Sequence, residues 1–161
     1  MLTTLPVETL EDAILIVLMY AKRWRIEDWH RALKTCCQAE DAANGDAARR
    51  ERVLAINMVI AWRIHLMTLL GRADPDLPPR TLFSDEEMLV LEQFAAQEKR
   101  LWPKVLNDYI ILTAQLGGYL NRKSDGPPGA EALWKGLRFL AGACFGFKLF
   151  RKLAAAEKEL K

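Results

Sequence analysis

Tyr20, Arg23, Glu27 and Lys34 stand at offsets of 0, 3, 7 and 14 residues. On an ideal helix these directions fall within an arc of roughly 60° and span roughly 21 Å. One face would then carry a phenol, a guanidinium, a carboxylate and an ammonium in a row. Arg31 points nearly the same way, and His30 lies at the edge of the arc. The set suits phosphodiester chemistry. A carboxylate is a hard oxygen ligand for Mg²⁺ or Mn²⁺. Two-metal sites use such ligands to activate one oxygen and stabilise another. Arg grips a phosphate bidentately, Lys acts as a point charge, and Tyr donates to a phosphate or stacks on a base. A single acid cannot hold two cations, so the stripe calls for further acids from elsewhere. Arg23 and Glu27 are also an ordinary i,i+4 pair, which by itself marks nothing more than a solvated helix face.

The elements that would position the stripe can be read from punctuation and period. Thr9 and Asp12 form a capping-box pattern opening one helical stretch to about Lys34. Ala13–Met19 is apolar on every side, so that half is expected to be buried all round. Leu2–Leu5, closed by Pro6, reads as the last turn of a strand. Residues 39–48 are small and polar and read as a connection. Arg49–Leu70 reads as a second helix ended by Gly71. Asp74–Arg80, with three prolines, reads as a loop, and Ser84 caps a third helix to about Gln97. Val105–Asn121 is a fourth helix with Gly117-Gly118 inside it, where close helix approach would explain the glycines. Asp125–Gly129 is a break before a fifth helix, Ala130–Leu153. The chain is expected to be mainly helical. Most of the five tryptophans are expected in the core, with Trp24 the exception beside the stripe; His30 and His65 read as structural.

Charge is nearly balanced at +2 over 161 residues, but it is segregated. Residues 20–34 hold five Lys or Arg against two acids, and residues 115–152 hold seven against two. A polyanion has two local footholds. Three cysteines, two of them vicinal at Cys36-Cys37, make no disulfide framework and no zinc spacing. The longest apolar run, Ala13–Ala21, is about half of a membrane span. The first twelve residues carry three acids and no base, the wrong sign for a secretory signal. A cytoplasmic protein is the expectation, with no membrane and no small-molecule substrate.

The residues between the stripe positions add to this. Tyr20-Ala-Lys-Arg23-Trp-Arg-Ile-Glu27-Asp-Trp-His-Arg-Ala-Leu-Lys34 resembles the signature of the insertion-sequence-four family of DDE transposases: Tyr, two residues, Arg, three residues, Glu, six residues, Lys. A second block, Leu116–Gly129 followed by Leu133-Trp-Lys-Gly136, is similar to that family's C-terminal region. The resemblance implies that residues 1–40 are the last strand and the Glu-bearing helix of an incomplete RNase H-like core. Residues 41–161 would be a helical, dimerising C-terminal region. It implies cut-and-paste DNA transposition with Mg²⁺ or Mn²⁺. Glu27 would be the third metal-binding acid, and Tyr20, Arg23 and Lys34 would handle transposon-end DNA. Arg31, Arg122 and Lys123 would be further DNA contacts. The partners implied are transposon-end DNA and a second chain, as a homodimer or as a heterodimer with an intact transposase. The family's two catalytic aspartates have no counterpart in this sequence, and Cys36 stands where the signature often has Gly. The chain is therefore expected to be a truncated C-terminal piece without catalysis of its own. Two rivals follow from the same residues: a non-catalytic module that pairs with and inhibits an intact transposase, and an inactive remnant.

Overall fold

The computed structural model describes residues 3–35 and 46–159. Among the described residues there are six helices, α1 Leu10–Ala21, α2 Trp24–Thr35, α3 Ala47–Ala73, α4 Asp85–Gln97, α5 Leu106–Leu116 and α6 Ala130–Glu159, and one 3₁₀ turn at Pro79–Thr81. Among the described residues, which begin at Thr3, there is no strand, so the described part of the strand expected at Leu2–Leu5 is not in one. The mainly helical expectation holds. The vicinal cysteines Cys36 and Cys37 lie outside the described residues.

Local chemistry sets several helix starts. Thr9 Oγ1 accepts the Asp12 N–H at 3.1 Å, while Asp12 Oδ2 accepts the Thr9 N–H at 2.9 Å. Ser84 and Glu87 close the same reciprocal box at the start of α4. Both boxes satisfy N–H groups that a helix start leaves without acceptors. Asp46 caps α3, so Ala47 and Ala48 belong to that helix and not to the polar connection.

Other boundaries differ from the sequence reading. The single helix expected from Thr9 to Lys34 is broken at Lys22–Arg23. There the N–H groups of Arg23, Arg25 and Ile26 bond three residues back, at 3.0–3.2 Å. The tighter turn sets the Arg23 guanidinium over the Tyr20 ring (5.5 Å) and the Trp24 ring (5.3 Å), an arrangement favoured by the ring quadrupole. The apolar half expected to be buried all round is instead exposed: α1 has no buried residue, and Ile14, Leu15, Val17 and Leu18 each remain half open. No described element is packed over that face. Gly71 does not end α3, which runs on to Ala73. A Cβ at Gly71 would lie 3.3 Å from Ile110 Cδ1, so the glycine admits α5. The fourth helix stops at Leu116, and Gly118 takes φ +94°, a left-handed turn that suits glycine.

The core sits where α3, α4, α5 and α6 meet, around Ile64, Met67, Leu91, Ile110, Leu133 and Leu140. The helices α5 and α6 approach most closely. A Cβ on Gly136 would collide with the Thr113 carbonyl oxygen, and one on Gly117 with the Ala132 carbonyl. Thr113 is fully buried, and its hydroxyl donates to the Tyr109 carbonyl at 2.8 Å, which leaves no unmet polar group in the seam. The expected close approach at Gly117 is therefore present.

Polar ties fix the remaining helices. Arg63 on α3 grips Glu87 on α4 with two bonds of 2.9 Å and donates a third to the Leu82 carbonyl. Tyr109 donates to Glu92 at 2.7 Å. Trp29 on α2 donates its indole N–H to the Met58 carbonyl at 3.3 Å, which seats α2 on α3. Of the tryptophans, Trp29 and Trp134 pack against the core, whereas Trp24, Trp62 and Trp102 are exposed, against the expectation that most would be core. By length and composition α3 could cross a membrane, with a mean hydropathy of 1.8 over its most apolar stretch. Here it is a bundle helix, with Ile64, His65 and Met67 turned inward.

Two outcomes follow. Gly136→Ala is expected to destabilise the fold by about 1–3 kcal/mol, since overpacking against backbone outweighs the helix-propensity gain. Urea unfolding checks this. Burial pushes the Glu87 carboxyl up, but its bonds from Arg63 and Ser84 and the Arg63 charge outweigh burial and hold its pKa below the ordinary 4.5. Its contribution to stability is thus complete above about pH 4.5 and is lost as the pH falls through the lowered folded value. Glu87→Gln should cost about 2 kcal/mol at neutral pH. Urea midpoints measured at successive pH values should fall less steeply below pH 4.5 for this variant than for the parent.

Candidate functional site

The polar stripe survives the break between α1 and α2, though in altered form. Tyr20 closes α1, Arg23 lies in the turn, and Glu27 and Lys34 lie on α2. Arg23 is the link: its guanidinium covers Tyr20 and approaches Glu27 Oε1 at 3.8 Å. Half-exposed pairs of this kind stabilise by less than about 1 kcal/mol, so the pair is not explained by what it adds to the fold. The Glu27 carboxylate is 46 % exposed and is not packed against apolar side chains. Trp24, Glu27, Asp28, His30, Arg31 and Lys34 line one shallow depression on the outer side of α2. Arg31 pairs with Asp28 at 3.5 Å and not with Glu27. His30 is exposed and leans on Trp29, with ring centroids 5.0 Å apart.

Arg122 and Lys123 sit apart from this group, in the turn between α5 and α6. The Arg122 N–H donates to Asp125 Oδ2 at 2.8 Å, and the Tyr119 hydroxyl donates to the Gly126 carbonyl at 2.7 Å. Both cations are exposed, and no described contact joins them to α2. Among the described residues, no three His, Cys, Asp or Glu side chains gather closely enough to hold a metal ion. Glu27 offers one hard oxygen donor beside a guanidinium. The described residues on their own therefore do not fit a two-metal centre.

A second feature was not singled out from sequence. The outer face of α6 presents Phe139, Gly142, Gly146, Leu149, Phe150 and Leu153 at helical spacing. Phe139, Phe150 and Leu153 are each about 60 % exposed or more, and nothing lies within 4 Å of a Cβ built on Gly142 or Gly146. Large apolar surface rimmed by Arg151 and Lys152 marks a contact face rather than a solvated one. The signal was in the sequence: aromatics and glycines recur three or four residues apart over four turns.

The transposase Tn5 dimerisation domain matches residues 59–156, which takes in the second half of α3 and everything through most of α6. The chain belongs to the Tn5 transposase dimerisation family. The match covers more than half of the sequence and includes the exposed α6 face. It supports the likeness to insertion-sequence-four transposases and a transposase-related role with a second chain as partner. It begins after the Glu27 stripe, which rests on its own residues.

For a member of this family, the α6 face should be where two chains meet. Phe150→Glu combined with Phe139→Glu should shift the chain towards monomer, raising the dimer dissociation constant by about a hundredfold or more, as loss of buried aromatic anchors does. Sedimentation velocity over a concentration series reads this directly.

Proposed function

We propose that this chain serves DNA transposition as the dimerising, DNA-end-holding portion of a cut-and-paste transposase. The carrying observation is the Tn5 dimerisation-domain match over α3–α6, with the Tyr20–Arg23–Glu27 group standing just outside it. In this reading Glu27 is the third carboxylate of a Mg²⁺ or Mn²⁺ centre whose other acids come from outside the described residues. Arg23 grips a phosphate near the cleaved bond, Tyr20 donates to it or stacks on a base, and Lys34 and Arg31 follow the same backbone. Arg122 and Lys123 add contacts farther along the DNA. Residues 1–40 belong functionally with a catalytic core of RNase H type, and the rest with the dimer. The work is cytosolic.

Several features support this reading. Glu27 is open to solvent and flanked by cations, as a ligand awaiting further acids must be. Arg23 is already held between two rings and a carboxylate, so little side-chain entropy is left to lose on gripping a phosphate. The exposed α6 face gives a second chain a place to dock.

A second reading is favoured by one observation: no three-acid cluster exists among the described residues, while the dimerisation domain is matched. The chain would then pair with an intact transposase and lower its activity.

The test is a chimaera that joins the aspartate-bearing part of an intact family transposase to this whole chain. The Glu27 form should cleave transposon-end DNA, and Glu27→Ala should cut at least about a thousandfold more slowly while still binding the end. Equal cleavage rates would refute the assignment of Glu27. Co-expression of the unfused chain with an intact transposase separates the second reading, since unchanged transposition there counts against inhibition.

A further inference from the structure

Next to the Glu27 depression, and sharing Asp28 and Arg31 with it, α2, α3 and the start of α6 enclose an open groove of about 620 Å³. Arg25 and Arg31 enter it from α2 and Arg72 from α3. All three are exposed, and Arg25 and Arg72 make no ion pair among the described residues. The two acids of the groove are already engaged, Asp28 with Arg31 at 3.5 Å and Glu131 with Lys135 at 2.6 Å. The groove ends at Gly129 and Ala130, the N-terminus of a 30-residue helix. The N–H groups of that first turn lack intrahelical acceptors and carry the positive end of the helix dipole.

His65 supplies an independent sign of a ligand. It lines the same groove and is only 8 % exposed, yet its ring nitrogens make no hydrogen bond to the described residues. Neither nitrogen is fully closed to solvent, because no fully buried side-chain nitrogen or oxygen among the described residues lacks a partner. A buried imidazole in an apolar bundle ordinarily finds an acceptor or donor within the protein. Here its polar edge is left to whatever enters the groove. The ring is held in place by Trp62, with centroids 5.8 Å apart.

We propose that this groove is a second phosphate seat, adjoining the Glu27 stripe, which takes a backbone phosphodiester of bound DNA. Arg25 and Arg72 grip the oxygens, the α6 N-terminus supplies main-chain donors, and His65 donates from the floor. The inference rests on the DNA-binding reading given above and adds to it a neighbouring site that reaches from α2 to α3 and α6. DNA on the Glu27 face would then also be held at this adjoining groove, which fixes its direction relative to Glu27. The shared chemistry is a phosphate anion, so free phosphate is the rival source.

The test uses the full chain. Only two histidines are present, so their ring C–H signals can be followed by NMR. Titration with a 20-base-pair duplex at low salt should move the His65 signal saturably. Arg72→Ala, and separately Arg25→Ala, should weaken duplex binding about tenfold and lower the salt slope by about one. Both residues lie on the surface, and unchanged circular dichroism will show that the fold is kept. Suppose instead that the duplex binds and Lys34→Ala weakens it, but the His65 signal stays still and Arg72→Ala has no effect. The second seat is then wrong, and the wider DNA-binding reading stands. If inorganic phosphate moves the His65 signal and the duplex does not, the seat serves a free anion and the proposal fails. If no duplex binds even at 50 mM salt, both readings fall.

Discussion

The arrangement depends first on how closely α5 and α6 can lie. Two glycines, Gly117 and Gly136, let the carbonyl oxygens of Ala132 and Thr113 come where a Cβ would otherwise stand. This backbone-to-backbone seam sets the path of α6, the longest helix. One end of α6 then closes the basic groove beside α2, and its outer face carries the phenylalanines open to a partner. A single methyl group in the seam would move both. The basic groove and the exposed α6 face are thus tied to one steric allowance between two helix backbones.

A second constraint works through Arg63. Its guanidinium spans α3, the Leu82 carbonyl and Glu87, and it also lies 5.4 Å from the Phe83 ring. Glu87 closes the Ser84 capping box at the same time. One carboxylate therefore starts a helix and docks it, which is an economical way to hold α4 against a bundle whose core is modest. By contrast, α2 is held by the Trp29 indole and the buried Ala32, with most of its surface open. It reads as a helix that keeps one face for another molecule. The exposed apolar α1 beside it has the same character.

Features carried by local chemistry were legible in the sequence. The Thr9–Asp12 box, the Ser84 cap and the break at Asp125–Gly129 need only neighbours in the chain, and they stand as read. Tyr20, Arg23 and Glu27, within eight residues of one another, are still brought together, although the single helix read for them is broken between α1 and α2. What depended on packing was not legible. Gly71 reads as a helix stop, yet it admits Ile110 within a continuing helix, whereas Gly117, read as inside its helix, ends it where Ala132 comes close. The break at Lys22–Arg23, where three N–H groups bond three residues back, is not encoded by any helical period. Apolar composition suggested that α1 was buried, but composition says that a face wants cover, not that cover is there. The groove floored by His65 joins residues from three helices separated by up to about a hundred positions, so spacing along the chain could not reveal it.

The proposed function requires the outer face of α2 to meet DNA at the end of a transposon. The most direct measurement places a photoreactive side chain at position 30, one turn along from Glu27, in the full chain. The cross-links to an end-bearing duplex are then mapped. They should concentrate at the terminal nucleotides of the end and disappear when salt releases the complex. Cross-links spread evenly along the duplex, or none at a salt concentration where the duplex is bound, would contradict it.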